Sequence, residues 1–413
     1  MNFKINFNKK EYFIYLFLYI SLIIGFYLNE NTIGGAEYDS GIIFNAIKSF
    51  SVDLNVTYKN YYEFKISHYP FYYIFLSQIL KLSQSIIFTK IVVLHFGLFL
   101  PYIFYKIIKF RYDYKNKYLI YLPGIIFLSP SYRSSSIWGL NDNIALIFFG
   151  LSVLFYLKFA EEKLRKKKII YILLNALMLA MAAYTRQYYA IFSIYFFYKL
   201  LEKFDLKIIQ YYIITNLILA SYAIKVTFFN DNLNYASNFI TNNLSNNITL
   251  SVTMFIIYLL PVICNKDFFM QNINYYQRNK NIFLISFFLI IILCFFFNYK
   301  VPYGGGIIYK IVYNFNSHLY LLIFALCSLI LNYFLSENYR NNFILIVCLF
   351  LAVPIEAIYQ KYFDPLCIIL IFSLFDSILI KKFINNLKFI IKYLYVYFFL
   401  IYCGYFIYKY ILI

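Results

Sequence analysis

The sequence predicts an all-α, polytopic membrane protein, and three observations carry that prediction. Of its 413 residues, 63% are hydrophobic and only 13% charged, more apolar surface than a soluble domain of this size buries. Apolar runs long enough to cross a hydrocarbon core of about 30 Å as helices recur from end to end. Lys and Arg, which give a net charge of +19, collect in short segments between those runs. That is the pattern of cytoplasmic loops and not of a nucleic-acid-binding surface. The membrane is therefore an expected partner and nucleic acid is not.

The runs lie near 11–29, 88–108, 118–131, 141–158, 169–185, 188–201, 207–228, 249–264, 281–298, 316–335, 342–359, 364–380 and 389–410, predicting about thirteen spans. A further apolar piece, 69–83, starts with Pro70 and is interrupted by Gln78 and Lys81. Counting it as a span would put the basic clusters 106–117 and 161–168 outside. Counting it as a helix lying at the interface puts every basic cluster inside, with the N-terminus in the cytoplasm and the C-terminus out. Residues 30–86 then become one long first external loop, with interfacial helices near 41–50, where Ile43, Ile47 and Phe50 share a face, and at 69–83.

No internal repeat, Pro/Gly linker or cleavable leader is visible, so one membrane domain over 1–413 is expected. Cys264, Cys294, Cys327, Cys348, Cys367 and Cys403 stand singly, without metal-ligand spacing, and read as packing residues. Neither a disulfide nor a cofactor is expected. The bias toward Ile, Lys, Asn, Phe and Tyr suggests AT-rich coding, which leaves the sequon Asn55-Val56-Thr57 little weight.

With topology set by the basic clusters alone, six polar motifs fall at the external ends of the spans: EYDSG (37–41), SHYP (67–70), SYRSSSIWGLNDN (131–143), YTRQYY (184–189), YKVPYGGGIIYK (299–310) and YQKYFDP (359–365). Ionisable groups at membrane depth are costly and mark sites. A shared cavity holding Glu37, Asp39, His68, Asp142, Arg186 and Lys361 is the expectation. Plainer readings stand beside it. Asp39 or Ser40 can cap the helix that follows, and Asp142 can cap its own span. His68 can be an ordinary interfacial histidine, and Arg186 can snorkel from a helix end. Gly304-Gly305-Gly306 is a turn or a weak phosphate loop, while His95 and His318 read as structural.

In these motifs the chain resembles the GT-C class of glycosyltransferases, which use polyprenyl-phosphate-linked sugars. The pattern is most similar to that of the dolichyl-phosphate-glucose α-1,2-glucosyltransferase family. The resemblance rests on an acid and helix in the first loop (EYDSGIIFNAI), an H-x-P segment, an aspartate opening a later span (NDNIAL), an Arg-Gln pair at a span end (YTRQYYAIF) and a late YQKYFDPL. It differs where Tyr38 separates Glu37 from Asp39, and where Gln360-Lys361 replace an acid and an arginine, which leaves sugar and acceptor open.

The resemblance implies an integral membrane hexosyltransferase of a bacterial cytoplasmic membrane, with its site on the external face. The donor would be a polyprenyl-phosphate-linked sugar and the acceptor a cell-envelope glycan or glycolipid. A sugar on a lipid phosphate already carries a good leaving group, so the chemistry needs one base and one or two cations. Asp39 is assigned as base, with Glu37 as alternate. Arg186 and Lys361 are assigned as the phosphate clamp, with Arg133, Lys300 and Lys310 in reserve. His68, Asp142, Gln187, Trp138 and Tyr188 are assigned to substrate binding, and Tyr189 is a further aromatic at this face. One-step attack predicts inversion. No metal ligand is assigned, although the Glu37-x-Asp39 spacing leaves a divalent ion as an alternative. The competing readings are a flippase or transporter of a lipid-linked sugar and a glycan polymerase.

Overall fold

The computed structural model describes residues 9–64, 66, 68–112, 116–202, 205–229, 243–264, 266–301, 304–313 and 316–411. Among them the regular structure is helical throughout. α1 (Lys9–Tyr27) leads into the segment expected as the first loop, which folds into α2 (Ala36–Val52), α3 (Leu54–Lys59), a 3-10 turn (Tyr61–Phe64) and α4 (Phe71–Ser83). Asn31 starts α2 by accepting the Ala36 N–H on Oδ1 at 3.2 Å, so the helix begins well before the expected residue 41. Ile43, Ile47 and Phe50 lie on its buried face together with Ala36, Ser40 and Phe44, the spacing of an amphipathic helix. That face packs on α4, which buries Tyr72, Tyr73, Leu76 and Leu80. With 13 residues, α4 reaches about 20 Å, short of a bilayer core.

The remainder is a helical bundle. It comprises α5 (Ile86–Gly97), α6 (Phe99–Arg111), a 3-10 helix (Lys117–Leu128), α7 (Pro130–Trp138), α8 (Asp142–Glu161), α9 (Arg165–Thr185), a 3-10 turn (Gln187–Ile191), α10 (Phe192–Leu201), α11 (Leu206–Phe229) and α12 (Leu244–Ile263). Then come α13 (Lys266–Arg278), α14 (Lys280–Phe296), the single turn α15 (Gly306–Ile308) with a π-turn (Tyr309–Tyr313), α16 (Ser317–Ser336), α17 (Tyr339–Leu351), a 3-10 turn (Gln360–Tyr362), α18 (Leu366–Ser373), α19 (Ile378–Asn385) and α20 (Leu387–Ile411).

Among the described residues seven helices are long and apolar enough to cross a membrane, or up to nine if each of two bent pairs counts as one span. This falls short of the thirteen expected, for reasons visible run by run. The run 118–131 is a buried 3-10 helix of 12 residues containing Pro123, about 24 Å long at the 3-10 rise. The run 188–201 splits into the turn Gln187–Ile191 and the 10-residue α10. The run 342–359 is helical only to Leu351. The run 364–380 breaks between α18 and α19, whose pair is bent by 91°. Apolar composition located these segments but did not measure their helical length.

One expected phosphate ligand is used up in holding this bundle together. Arg133 on α7 donates from Nε to Glu30 Oε1 at 2.8 Å and from Nη2 to Glu30 Oε2 at 2.6 Å. It also donates to Ser21 Oγ at 3.0 Å and to the Ser21 carbonyl at 2.9 Å. The fork and the carboxylate are each only 6% exposed. Gly25 makes the room, since a Cβ there would stand 2.5 Å from Glu30 Oε2. Arg133 therefore belongs to a buried ion pair that ties α7 to the turn after α1, and its donors are not open to a substrate. Because breaking such a pair from one side strands a buried charge, Arg133→Met should destabilise the protein by about 3–5 kcal/mol, whereas Glu30→Leu/Arg133→Met should recover most of the loss. Unfolding in lipid nanodiscs measures both variants, and a single variant as stable as the parent would sink the assignment.

Candidate functional site

Helix ends build the site. α8 and α9 pack as neighbours, which sets the first residue of α8, Asp142, beside Arg186, the C-cap of α9. A carboxylate is favoured at a helix N-terminus and a cation at a C-terminus, so both ends suit the charge they carry. Arg186 Nη2 lies 2.8 Å from the Asp142 carboxylate, and the two side chains are 8% and 7% exposed. Ser135 adds a hydroxyl to Asp142 at 3.3 Å. Arg186 is thus neither a snorkelling side chain nor a free cation. Asp142 is the first residue of α8 and not its N-cap, a position held by Asn141.

His68 joins the pair from the segment ahead of α4. Arg186 Nη1 donates to His68 Nε2 at 2.6 Å, and His68 Nδ1 donates to Gln187 Oε1 at 2.8 Å. The imidazole is therefore neutral, with its proton on Nδ1. Burial, and after it the Arg186 guanidinium, push its pKa down to about 3.

A second pair sits beside the first. Lys361, in the 3-10 turn Gln360–Tyr362, places Nζ 2.8 Å from Asp39 Oδ2 in the first turn of α2. Because α2 starts at Ala36, Asp39 is inside the helix and not its cap, and Ser40 donates to the Trp138 carbonyl at 2.8 Å. The ammonium lies near the rings of Tyr359 and Tyr362, 5.3 and 5.9 Å from their centroids. Asp142 and Arg186 are within its electrostatic reach. Tyr362 in turn packs edge-on against Tyr188, with centroids 6.0 Å apart. Two carboxylates, two cations and a neutral imidazole thus form one cluster of balanced charge.

The Gly triplet resolves as a turn with a task. Gly304, Gly305 and Gly306 all have positive φ, at 89°, 79° and 75°, which L side chains disfavour. Gly305 N donates to the Ile358 carbonyl at 2.7 Å, and a Cβ on Gly306 would stand 2.7 Å from Gln360 Oε1. Gln360 also donates to Tyr258 Oη at 3.1 Å. The triplet pins the backbone that carries Lys361. All six polar motifs are therefore linked by direct contacts.

Other assigned residues lie outside the cluster. Glu37 is exposed, because residues two apart on a helix point away from each other. The Glu-x-Asp spacing therefore does not bring its carboxylates together once α2 forms. Among the described residues no group of three His, Cys, Asp or Glu could hold a metal ion. Trp138 donates from Nε1 to the Glu30 carbonyl at 2.8 Å, and Lys90 covers its ring at 4.8 Å. It forms the wall between Arg133 and α2. Lys300 is exposed, and Lys310 is half-buried in the π-turn.

Sequence reasoning missed Glu30, Tyr359 and Tyr362. The tyrosines flank Lys361 in the quoted motif, but nothing in the sequence says that their rings turn onto its ammonium. It missed also an apolar cavity of about 460 Å³ between α9, α10 and α11, walled by residues such as Leu179, Ala183, Phe197 and Leu217 and reaching Gln187 and Tyr69. The small residues on α9 and α11 were there to read, but the packing of the two helices was not.

The fold holds His68 neutral and so disfavours its protonation relative to the unfolded chain. The resulting stability is complete above about pH 6.5 and is lost as pH falls toward 3. Melting of the nanodisc protein should accordingly drop between pH 7.5 and 5 more steeply in the parent than in His68→Gln; parallel curves would refute the neutral, buried imidazole. No family model, no curated protein and no solved structure matches the chain.

Proposed function

We propose that this chain is an integral membrane glycosyltransferase that moves a sugar from a polyprenyl-phosphate donor to a glycan or glycolipid hydroxyl in one inverting displacement. The observation that carries the reading is the Asp39–Lys361 pair beside the Arg186–Asp142–His68 group, which puts a proton acceptor and two cations within one cluster at the ends of apolar helices. Asp39 takes the proton of the acceptor hydroxyl as that oxygen attacks the anomeric carbon. The bond from that carbon to the phosphate oxygen breaks, and the charge left on polyprenyl phosphate is met by Lys361 and Arg186. Arg186 keeps donor capacity for this, since its buried Nε–H has no hydrogen-bond partner among the described residues. Asp142 and His68 hold the guanidinium plane fixed. Tyr188 and Tyr362 offer ring faces for the sugar, and the cavity that reaches Gln187 suits an isoprenoid tail.

The side of the membrane follows from charge. The Lys and Arg cluster at 161–168 lies at the ends of α8 and α9 opposite Asp142 and Arg186, and with that cluster in the cytoplasm by the positive-inside rule we take the site to face outside. A transporter would release no polyprenyl phosphate, which separates it from this reading in the test below.

The direct test incubates the nanodisc protein with a panel of polyprenyl-phosphate sugars and an acceptor fraction, following released polyprenyl phosphate. Asp39→Asn should lower turnover by roughly 10²- to 10⁴-fold with folding intact, and Glu37→Gln should cost far less. Arg186→Lys keeps the charge but loses the planar fork, and the hydrogen bonds at stake predict a drop of roughly 10- to 100-fold. Full activity in Asp39→Asn, or silence across the panel, would overturn the reading.

A further inference from the structure

We propose that Asp39 and the donor's phosphate compete for one ammonium, Lys361, so that arrival of the donor unmasks the base. The inference rests on the glycosyltransferase reading and adds an order of events to it. In the structure the assigned base is already neutralised: Lys361 Nζ stands 2.8 Å from Asp39 Oδ2. The ammonium occupies Asp39 Oδ2, so while the pair stands that oxygen is not open to an acceptor's hydroxyl. Drawing the lysine away frees it.

The two ion pairs of the site differ in what they allow. Arg186 is anchored by Asp142 and by His68, and its pair is 7–8% exposed. Lys361 and Asp39 are 15% and 34% exposed, so theirs is the rim pair that an incoming anion reaches. A lysine suits exchange, being a point charge on a flexible stem, whereas a forked arginine with several partners does not. The backbone under Lys361 is pinned by Gly305 and Gln360. The handover therefore needs only rotation of the side chain, with the rings of Tyr359 and Tyr362 beside its path.

The sequence of steps closes on itself. The donor's phosphodiester anion draws Lys361 from Asp39 and leaves an unpaired carboxylate next to the substrate. Asp39 then accepts the hydroxyl proton of the acceptor. The bond from that oxygen to the anomeric carbon forms, the carbon–phosphate oxygen bond breaks, and its electron pair goes to the phosphate, which Lys361 already faces. When polyprenyl phosphate departs, Lys361 returns and Asp39 releases its proton to water. An acceptor that arrives first meets a masked base.

A double-mutant cycle on binding of undecaprenyl phosphate, using the full chain in nanodiscs, tests this without turnover. Asp39→Asn removes the internal competitor and should tighten binding by roughly 2- to 5-fold, the range of a partly exposed ion pair. Lys361→Met should weaken binding, and adding Asp39→Asn to it should change nothing further. Tightening that persists in the Lys361→Met background would mean plain charge repulsion and would overturn the handover. So would unchanged or weaker binding in Asp39→Asn. Either result leaves the glycosyltransferase reading standing, provided the parent binds the lipid and loses affinity in Lys361→Met. A parent that neither binds undecaprenyl phosphate nor turns over any sugar of the panel overturns the reading and the handover together.

Discussion

The contact between Arg186 and Asp142 is the constraint on which the site depends. Each charge alone, at 7–8% side-chain exposure, would carry a desolvation cost of several kcal/mol, so neither is tolerable without the other. Removing one would strand its partner. The pair therefore fixes where the start of α8 meets the end of α9, and the dipoles of both helices add to it there. His68 and Gln187 build outward from the same guanidinium, which draws the segment ahead of α4 onto the bundle. Since α4 packs on α2, the position of Asp39 follows from this one anchored pair.

The residues of the cluster were legible in the sequence because ionisable groups at the ends of apolar runs are rare and costly. Asp39, His68, Asp142, Arg186 and Lys361 could be named on that ground, and Gln187 as the neighbour of Arg186. Their pairing could not, since Lys361 and Asp39 are 322 positions apart and either cation suits either acid. Arg133 shows the same gap from the other side. It met the same criterion, yet Glu30, 103 positions away, claims its fork, and no local signal joins the two. Glu37 was legible as an acid but not as an exposed one, because its orientation depends on α2 starting at Ala36 and not near residue 41.

The helical class was legible for a different reason: apolar composition decides it. Span number was not, because composition says nothing about helix type or bend. Pro123 lies inside a buried 3-10 helix, and the α18–α19 pair turns through 91° at Asp376, a single acid that apolar composition over the run passes over. The helices α2 and α4 were legible from apolar pattern, Ile43, Ile47 and Phe50 marking the face that α2 buries.

The proposed function sets the site two opposed demands, to bind an anion and to present a base, since a cation that grips phosphate also pairs with a nearby carboxylate. Burial separates the demands here. Asp142 is a permanent counter-ion: it offsets Arg186, orients it, and keeps the site neutral before any ligand arrives. Asp39 and Lys361 carry the same charges at the rim, where water reduces the cost of parting them. Exchanging the two acids between these positions would put the base where no acceptor could reach it. It would also put the fixed counter-ion where solvent would release it. In the proposed reaction, which carboxylate would serve as base and which as scaffold is thus set by depth in the helix bundle, since their chemistry is the same.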